Sequence, residues 1–269
     1  MKLSIITINR NNADGLRRTI ESVVNQTYTD FEYIIIDGAS TDDSVDIIKE
    51  YADKIDYWVS EPDKGIYNAM NKGILKAKGE YLLMLNSGDW LVEDILTDVF
   101  SQNYSQDLLY GNIIWTINQK KAFTTEFKDN LFFKTFVNSS IAHQATFIKR
   151  ELHNKVGLYI EELKIVSDWC FFLLALFKHN CTTIHINNYI CFSERDGVSC
   201  LPQNQSLIDE ERRSFLIQKF KLQYEEYLEN IKIEKDLIEY RAFYEKCFTT
   251  KLKRFLKKNK LVRLLIKKF

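Results

Sequence analysis

The first hundred residues alternate between two hydrophobic patterns, and that alternation leaves few folds open. LSIITI (3–8), FEYIIID (31–37), IDYWVS (55–60) and EYLLML (80–85) are short apolar runs, rich in β-branched and aromatic residues, with the length of strands. Between them, ADGLRRTIESVVNQ (13–26), DSVDIIKEYAD (43–53) and GIYNAMNKGILKAK (65–78) carry helical spacing, the first with Leu16, Ile20, Val23 and Val24 on one face. Strands and helices in strict alternation, joined by short connections, call for right-handed crossovers and a parallel sheet covered by helices. The expected class is therefore α/β.

Beyond residue 100 the rhythm loosens. LLYGNIIWTI (108–117) reads as a strand, and 118–140 as a mixed hairpin or a mobile loop. HQATFIKR (143–150) reads as a strand running into a helix. DWCFFLLALFKH (168–179) reads as a helix N-capped by Ser167 or Asp168, and CTTIHINNYICFSER (181–195) as a late strand or hairpin. From 203 to about 249, Glu, Lys, Tyr and Leu predict helix. No internal repeat is present.

Bulk properties exclude several classes. The 269 residues are 45% hydrophobic with only two prolines, which argues for a filled core and against disorder. The longest apolar run, WCFFLLALF (169–177), falls well short of the ~20 residues that cross a bilayer. MKLSIITINR lacks the longer apolar region and small-residue cleavage site of a secretory signal, so a cytoplasmic protein is expected. The five cysteines are odd in number and form no CxxC pair, which predicts free thiols rather than a zinc site or a disulfide framework.

Two strand ends carry candidate chemistry. IIIDGASTDDS (34–44) places Asp37 at the carboxyl end of a strand, before a Gly/Ser-rich turn into a helix. That position suits a nucleotide, and the same residues equally suit a helix cap provided by Ser40 or Asp42. YLLMLNSGDW (81–90) turns abruptly from a buried strand to Asn86, Ser87, Gly88 and Asp89. The choice there is between an ordinary turn and a metal or phosphate site at a sheet edge. No GxGxxG follows the first strand, so a dinucleotide fingerprint is absent.

Taken in order, LSIITINRNN (3–12), SVVNQTYTDFEYIIIDGASTDDS (22–44), SEPDKGIYNAMNKGILKAKGEYLLMLNSGD (60–89), HQATFIKR (143–150), SDWCFFL (167–173) and DGVS (196–199) resemble the inverting family-2 glycosyltransferases of GT-A fold. The resemblance covers about residues 3–200. It implies a GT-A domain over 1–200, with a nucleotide-binding half (1–100) and an acceptor-binding half (101–200). A helical extension (201–250) and a basic amphipathic tail (251–269) follow. It implies that Thr7, Asn9, Asp37, Lys64 and Asn86 hold the nucleotide of a nucleotide-sugar donor, UDP by expectation. Asp89 would bind Mn²⁺ or Mg²⁺ on the diphosphate, and Asp168 would act as general base, although Asp168 before an apolar helix also suits an N-cap. His143 and Trp169 fall where the family lines its acceptor and diphosphate region. Trp90, beside Asp89, is open to sugar stacking or to core packing. In one place the sequence departs from the family pattern: where many relatives carry Asp at the first and third positions of the metal-binding run, this chain has Asn86 and Gly88.

The zero net charge hides a division. Residues 251–269 hold nine of the 37 Lys/Arg and no acid, leaving 28 basic against 37 acidic residues in 1–250: the body is −9 and the tail +9. Leu252, Phe255, Leu256, Val262, Leu265, Ile266 and Phe269 fall near one helical face, as in a helix lying on an anionic membrane. A docked C-terminal helix is the other reading. No groove-reading motif accompanies the basic residues, so nucleic acid is not an expected partner. The expected activity is transfer of a sugar to a saccharide or lipid-linked acceptor in surface polysaccharide synthesis, at the inner face of the membrane. The alternative is a non-catalytic nucleotide-sugar- or membrane-binding protein on the same fold.

Overall fold

The computed structural model describes residues 1–258 except Asp196, with side chains described through Lys251. The basic face expected over 252–269 lies outside the described side chains. Residues 1–213 form one compact unit, and a second begins at Ser214.

In chain order the strands and helices are β1 (Leu3–Asn9), α1 (Ala13–Val24), β2 (Phe31–Asp37), α2 (Ser44–Glu50), β3 (Tyr57–Ser60), α3 (Ile66–Lys76), β4 (Tyr81–Met84), β5 (Trp90–Leu91) and α4 (Ile95–Phe100). They continue with β6 (Leu108–Ile117), β7 (Lys120–Thr125), α5 (Phe133–Phe136), β8 (Thr146–Lys149), α6 (Arg150–Val156), α7 (Ser167–Phe177), β9 (Thr183–Glu194), α8 (Gln205–Lys219) and α9 (Lys221–Lys258). One sheet holds them in the order β3-β2-β1-β4-β8-β6-β9-β5, with β7 paired to β6.

The β1 to β4 segment is the parallel α/β half that the sequence pattern calls for. β1 pairs in parallel with β2 and β4, and β2 with β3. Every residue of β1 is buried, as befits a central strand covered on both faces. Side chains alternate across the pleat. Leu3, Ile5, Tyr33, Ile35 and Leu83 join Leu16, Ile20 and Val23 of α1 in one core cluster. Ile6 and Ile36 point to the other face, where α3 packs so closely that a Cβ on Gly73 would lie 2.3 Å from Ile6 Cγ2. Each fully buried aliphatic side chain contributes about 1.5–3 kcal/mol relative to exposure.

The second half brings in antiparallel pairs. β8 is inserted between β4 and β6, antiparallel to both, while β9 runs parallel to β6 and pairs β5 at its far end. Tyr81 of β4 faces Lys149 of β8 and Leu83 faces Phe147, so β8 starts where β4 finishes. The 3₁₀ turn His143–Ala145, just before β8, is thereby delivered to the carboxyl end of β4. Within 118–140 the hairpin alternative is realised, as β7 folds back on β6. The helix expected over 43–53 closes at Glu50, and Ala52–Lys54 tightens into a 3₁₀ turn. The helical stretch expected from 203 is two helices; α9 carries exposed Ile233, Leu237, Tyr240, Tyr244 and Phe248.

The start of α7 differs from expectation. Neither Ser167 nor Asp168 is the N-cap: that place falls to Val166, which has no capping side chain. In the segment leading into the helix, the Glu211 carboxylate accepts from the backbone N–H groups of Lys164 (2.7 Å), Ile165 (3.1 Å) and Val166 (3.3 Å). Ser167 Oγ instead accepts from the Ile160 N–H. Asp168 is left inside the first turn, with its carboxylate available for other partners.

Candidate active site

The carboxyl ends of β1, β2 and β4 lie side by side: β1 ends on Asn9, β2 on Asp37, and β4 on Met84, with Asn86 two residues beyond. Asp37, fully buried at the end of β2, would be costly as an unpaired charge. It is surrounded by donors: Asn9 Nδ2 at 2.8 Å, the Ser40 N–H at 2.9 Å, Ser40 Oγ at 2.6 Å and Ser60 Oγ at 2.6 Å. Asn9 and Asp37 are thus brought together, with Ser40 and Ser60 completing the cluster. Next to them Gly38 permits the approach of Asp63, whose Oδ2 would lie 2.2 Å from a Cβ at that position. Arg10 reaches the same carboxylate at 3.9 Å. Lys64 follows on an exposed loop. Thr7 is not brought into this cluster: its side chain is fully buried, with the hydroxyl 3.0 Å from the Tyr33 phenol.

The tip of β4 is a shaped turn. Gly88 has φ +103, a conformation that side-chain-bearing residues rarely adopt. Thr19 of α1 holds the turn: its hydroxyl accepts from the Gly88 N–H (3.0 Å) and lies 2.7 Å from the Asp89 carbonyl, to which it donates. Asn12 Nδ2 donates to the Ser87 carbonyl at 3.1 Å. Asp89 supplies the one carboxylate of this tip. Among the described residues no group of three His, Cys, Asp or Glu side chains is placed to hold a metal by itself. Mg²⁺ sites are often built from one or two carboxylates plus substrate phosphates, and Mn²⁺ takes the same oxygen ligands. The donor set therefore fits a cation that arrives with a diphosphate, not one caged by protein alone.

Asp168 faces this tip across a short chain of side chains. Its Oδ1 accepts from the Tyr67 phenol at 3.0 Å, a hydrogen that Tyr67 shares with the Ile165 carbonyl. Its Oδ2 lies 3.2 Å from His143 Nδ1, and His143 Nε2 lies 3.2 Å from Asn86 Nδ2. Asp168 and His143 are each 19% exposed, so the pair is sheltered yet reachable. Burial by itself would raise the Asp168 carboxyl, but the hydrogen bond and charge of His143, with the Tyr67 bond, outweigh it and hold the group below the usual carboxylate range. For His143, burial works against the proton, and the Asp168 bond and charge, with Asp89 more distantly, raise it above its ordinary value. Burial, followed by the Asp168 charge, keeps the Tyr67 phenol protonated.

Trp169 does not stand in the site. It is 1% exposed, its indole N–H donates to the Phe136 carbonyl at 2.8 Å, and the Arg212 guanidinium covers its ring at 5.1 Å. It is core, because a helix residue next to one that faces the cleft points about 100° away from it. Trp90 is half-buried, stacked on Phe192 at 5.1 Å and covered by Arg18 at 4.6 Å. Residues not singled out from the sequence are Tyr67, Thr19 and Ser60, while Ser40, read as a possible helix cap, bonds Asp37 and the N-cap place of α2 falls to Asp43. For Tyr67 the only signal is its place in the first turn of α3, right after EPDKG.

Residues 4–155 match the family model described as glycosyl transferase family 2, more than half of the chain. The chain belongs to glycosyl transferase family 2. A PGL/p-HBAD biosynthesis glycosyltransferase of Mycobacterium tuberculosis is 34% identical over 175 residues, which is 62% of this chain and 67% of the relative. An uncharacterized glycosyltransferase of the same organism is 31% identical over 220 residues, 78% of this chain and 82% of that one. Among solved structures, S. aureus TarS in complex with UDP-GlcNAc superposes with a TM-score of 0.62 at 20% identity, covering 73% of this chain and 59% of that chain. A mannosyltransferase of Pyrobaculum calidifontis, in complex with GDP-Man and Mn²⁺, gives 0.56 at 16% identity, covering 83% and 64%. These structural likenesses are likenesses of fold, and this family-2 chain spans about 60% of the TarS 1–349 chain and 37% of the longer TarS chain. By family and by fold the protein is a GT-A-like glycosyltransferase.

Proposed function

We propose that this glycosyltransferase is inverting, and that it moves one sugar from a uridine diphosphate sugar to a hydroxyl of a saccharide or lipid-linked saccharide. The observation that carries the reading is Asp168, a sheltered but reachable carboxylate fixed by Tyr67 and His143 opposite the NSGD tip of β4. Direct displacement needs one group on the acceptor side and another on the leaving-group side, and this arrangement offers both. Asp168 takes the acceptor proton as the acceptor oxygen bonds to the anomeric carbon, and the bond to the diphosphate breaks on the opposite face. A single displacement inverts that carbon and requires no covalent nucleophile. General-base assistance of this kind contributes ~10²–10⁴-fold.

Asn9, Asp37 and Lys64 border the end of the sheet where the nucleoside lies in this reading, and Asp89 meets the diphosphate. A Mg²⁺ or Mn²⁺ ion bound there would act as a Lewis acid on the departing charge. The TarS complex with UDP-GlcNAc and the GDP-Man and Mn²⁺ complex support a nucleotide-sugar donor and a divalent cation. The pathway proposed is surface polysaccharide synthesis, with the chain at the cytoplasmic face of the membrane.

The test is release of free nucleoside diphosphate from UDP- and GDP-sugars in the presence of a saccharide acceptor, beside calorimetric binding of UDP with and without Mn²⁺. Asp168→Asn should lose at least about 10²-fold in turnover while retaining donor binding; full activity in that variant removes the base assignment. Asp89→Asn should abolish the metal-dependent part of UDP binding. Binding of the sugar nucleotide by wild-type protein without any release would favour the non-catalytic alternative.

A further inference from the structure

Asn86 stands where many relatives carry Asp, and the structure gives it a specific partner. Its Nδ2 lies 3.2 Å from His143 Nε2, and the other ring nitrogen, Nδ1, lies 3.2 Å from Asp168 Oδ2. With the amide nitrogen toward the ring, as the structure places it, Nε2 is the acceptor and is bare, while Asn86 Oδ1 is buried with no hydrogen-bond partner among the described residues. A neutral imidazole with bare Nε2 carries its proton on Nδ1, which is the atom facing Asp168. The reverse tautomer would set a bare Nδ1 against a carboxylate, two acceptors with no hydrogen between them.

We infer that Asn86 and His143 are positioning residues for the proton transfer at Asp168, with Asn86 fixing the neutral, Nδ1-protonated form of His143 that holds Oδ2 in place. This rests on the reading of Asp168 as base. Above the raised imidazole value of His143, Asp168 is then oriented by two neutral donors, Tyr67 on Oδ1 and His143 on Oδ2, and keeps its own negative charge for the acceptor proton. Were residue 86 an aspartate, Nε2 would gain a carboxylate partner and the ring would hold a second proton. Asp168 would then sit against an imidazolium, which stabilises its charged form and weakens it as a base. The same geometry argues against His143 as the base, because its Nε2 is occupied by the Asn86 amide. The charged and titratable groups facing the pair are Tyr67, Tyr159, Cys170 and Arg212 around Asp168, and Asp89 around His143. Among the described residues, the hydrogen-bond partner at Nε2 is Asn86.

The decisive measurement is the ¹⁵N spectrum of the His143 ring in the full chain at pH 8, assigned by comparison with His143→Asn. Wild type should show one protonated and one bare ring nitrogen, with the proton on Nδ1. In Asn86→Asp both nitrogens should be protonated at the same pH. Turnover in Asn86→Asp should fall about tenfold, a fraction of the ~10²–10⁴-fold that a general base provides, and its pH profile should rise at higher pH than in wild type. His143→Asn, whose amide can replace the Nδ1–H donor, should keep more activity than His143→Ala and lose that limb of the profile. A doubly protonated or Nε2-protonated ring in wild type would overturn the inference, as would an unchanged ring spectrum in Asn86→Asp. Because the spectrum is read without turnover, it fails or succeeds separately from the assignment of Asp168 as base, which Asp168→Asn tests.

Discussion

Asp168 and His143 show how a pair of side chains can be legible in sequence one at a time and opaque together. SDW and HQATF mark the residues, but nothing in either motif says that the two side chains meet at 3.2 Å. Their coupling has a measurable consequence for stability. Asp168 is held below the usual carboxylate value, so its contribution is present above that value and is lost as pH falls through the lowered one. His143 is raised, so its contribution is present below the ordinary imidazole value and is lost as pH rises through the raised one. Both are present only between the two ordinary values, roughly pH 4–6.5. The difference in melting temperature between wild type and His143→Ala should therefore peak in that interval and shrink toward neutral and strongly acid pH. A difference that stays flat with pH would mean that the pair is not electrostatically coupled. Trp169 illustrates the opposite case. Adjacent to a site acid in sequence, it is carried into the core by the helical turn, where Arg212 and the Phe136 carbonyl receive it.

Strands and helices of the first half were readable because each pattern is local: apolar runs of strand length and one helical stripe, α1, closing on Val23. The antiparallel insertion of β8 between β4 and β6 was not, since strand order depends on which edges meet and no residue in TFIK encodes its neighbours. That insertion is what carries His143 to the tip of β4. The start of α7 depends on an equally distant partner, Glu211 of α8, more than 40 residues away in sequence. Its carboxylate accepts from three successive N–H groups just before the helix. Glu211→Ala leaves those donors without their partner and should cost about 1–3 kcal/mol, which lowers the melting temperature by about 2–4 °C per kcal/mol for a unit of this size. Because the first turn of α7 carries Asp168, turnover should fall more than donor affinity does. Glu211→Gln, which keeps one acceptor oxygen, should recover part of both losses. Wild-type stability and turnover in Glu211→Ala would show that α7 is set by its packing alone.

The chain as a whole divides its charge, −9 over residues 1–250 and +9 over 251–269, and that division favours one kind of surface for the tail. No described helix is long and apolar enough to cross a membrane. A basic residue near an anionic bilayer contributes about 1 kcal/mol, and nine of them, interleaved with apolar residues, give a sum that no single exposed ion pair approaches. The contribution is electrostatic in its long-range part, and the screening length shrinks from about 10 Å at 0.1 M salt to about 3 Å at 1 M. The full chain should sediment with vesicles containing phosphatidylglycerol, be released in large part by 1 M salt, and bind neutral phosphatidylcholine vesicles weakly. Deleting 251–269 should abolish sedimentation while leaving UDP binding intact, since every proposed nucleotide contact lies before residue 100. If the shortened chain stays on anionic vesicles, another surface makes the attachment. If neither form binds them, the tail's nine positive charges act within the protein or on an acidic partner, and the acceptor need not be presented at a membrane.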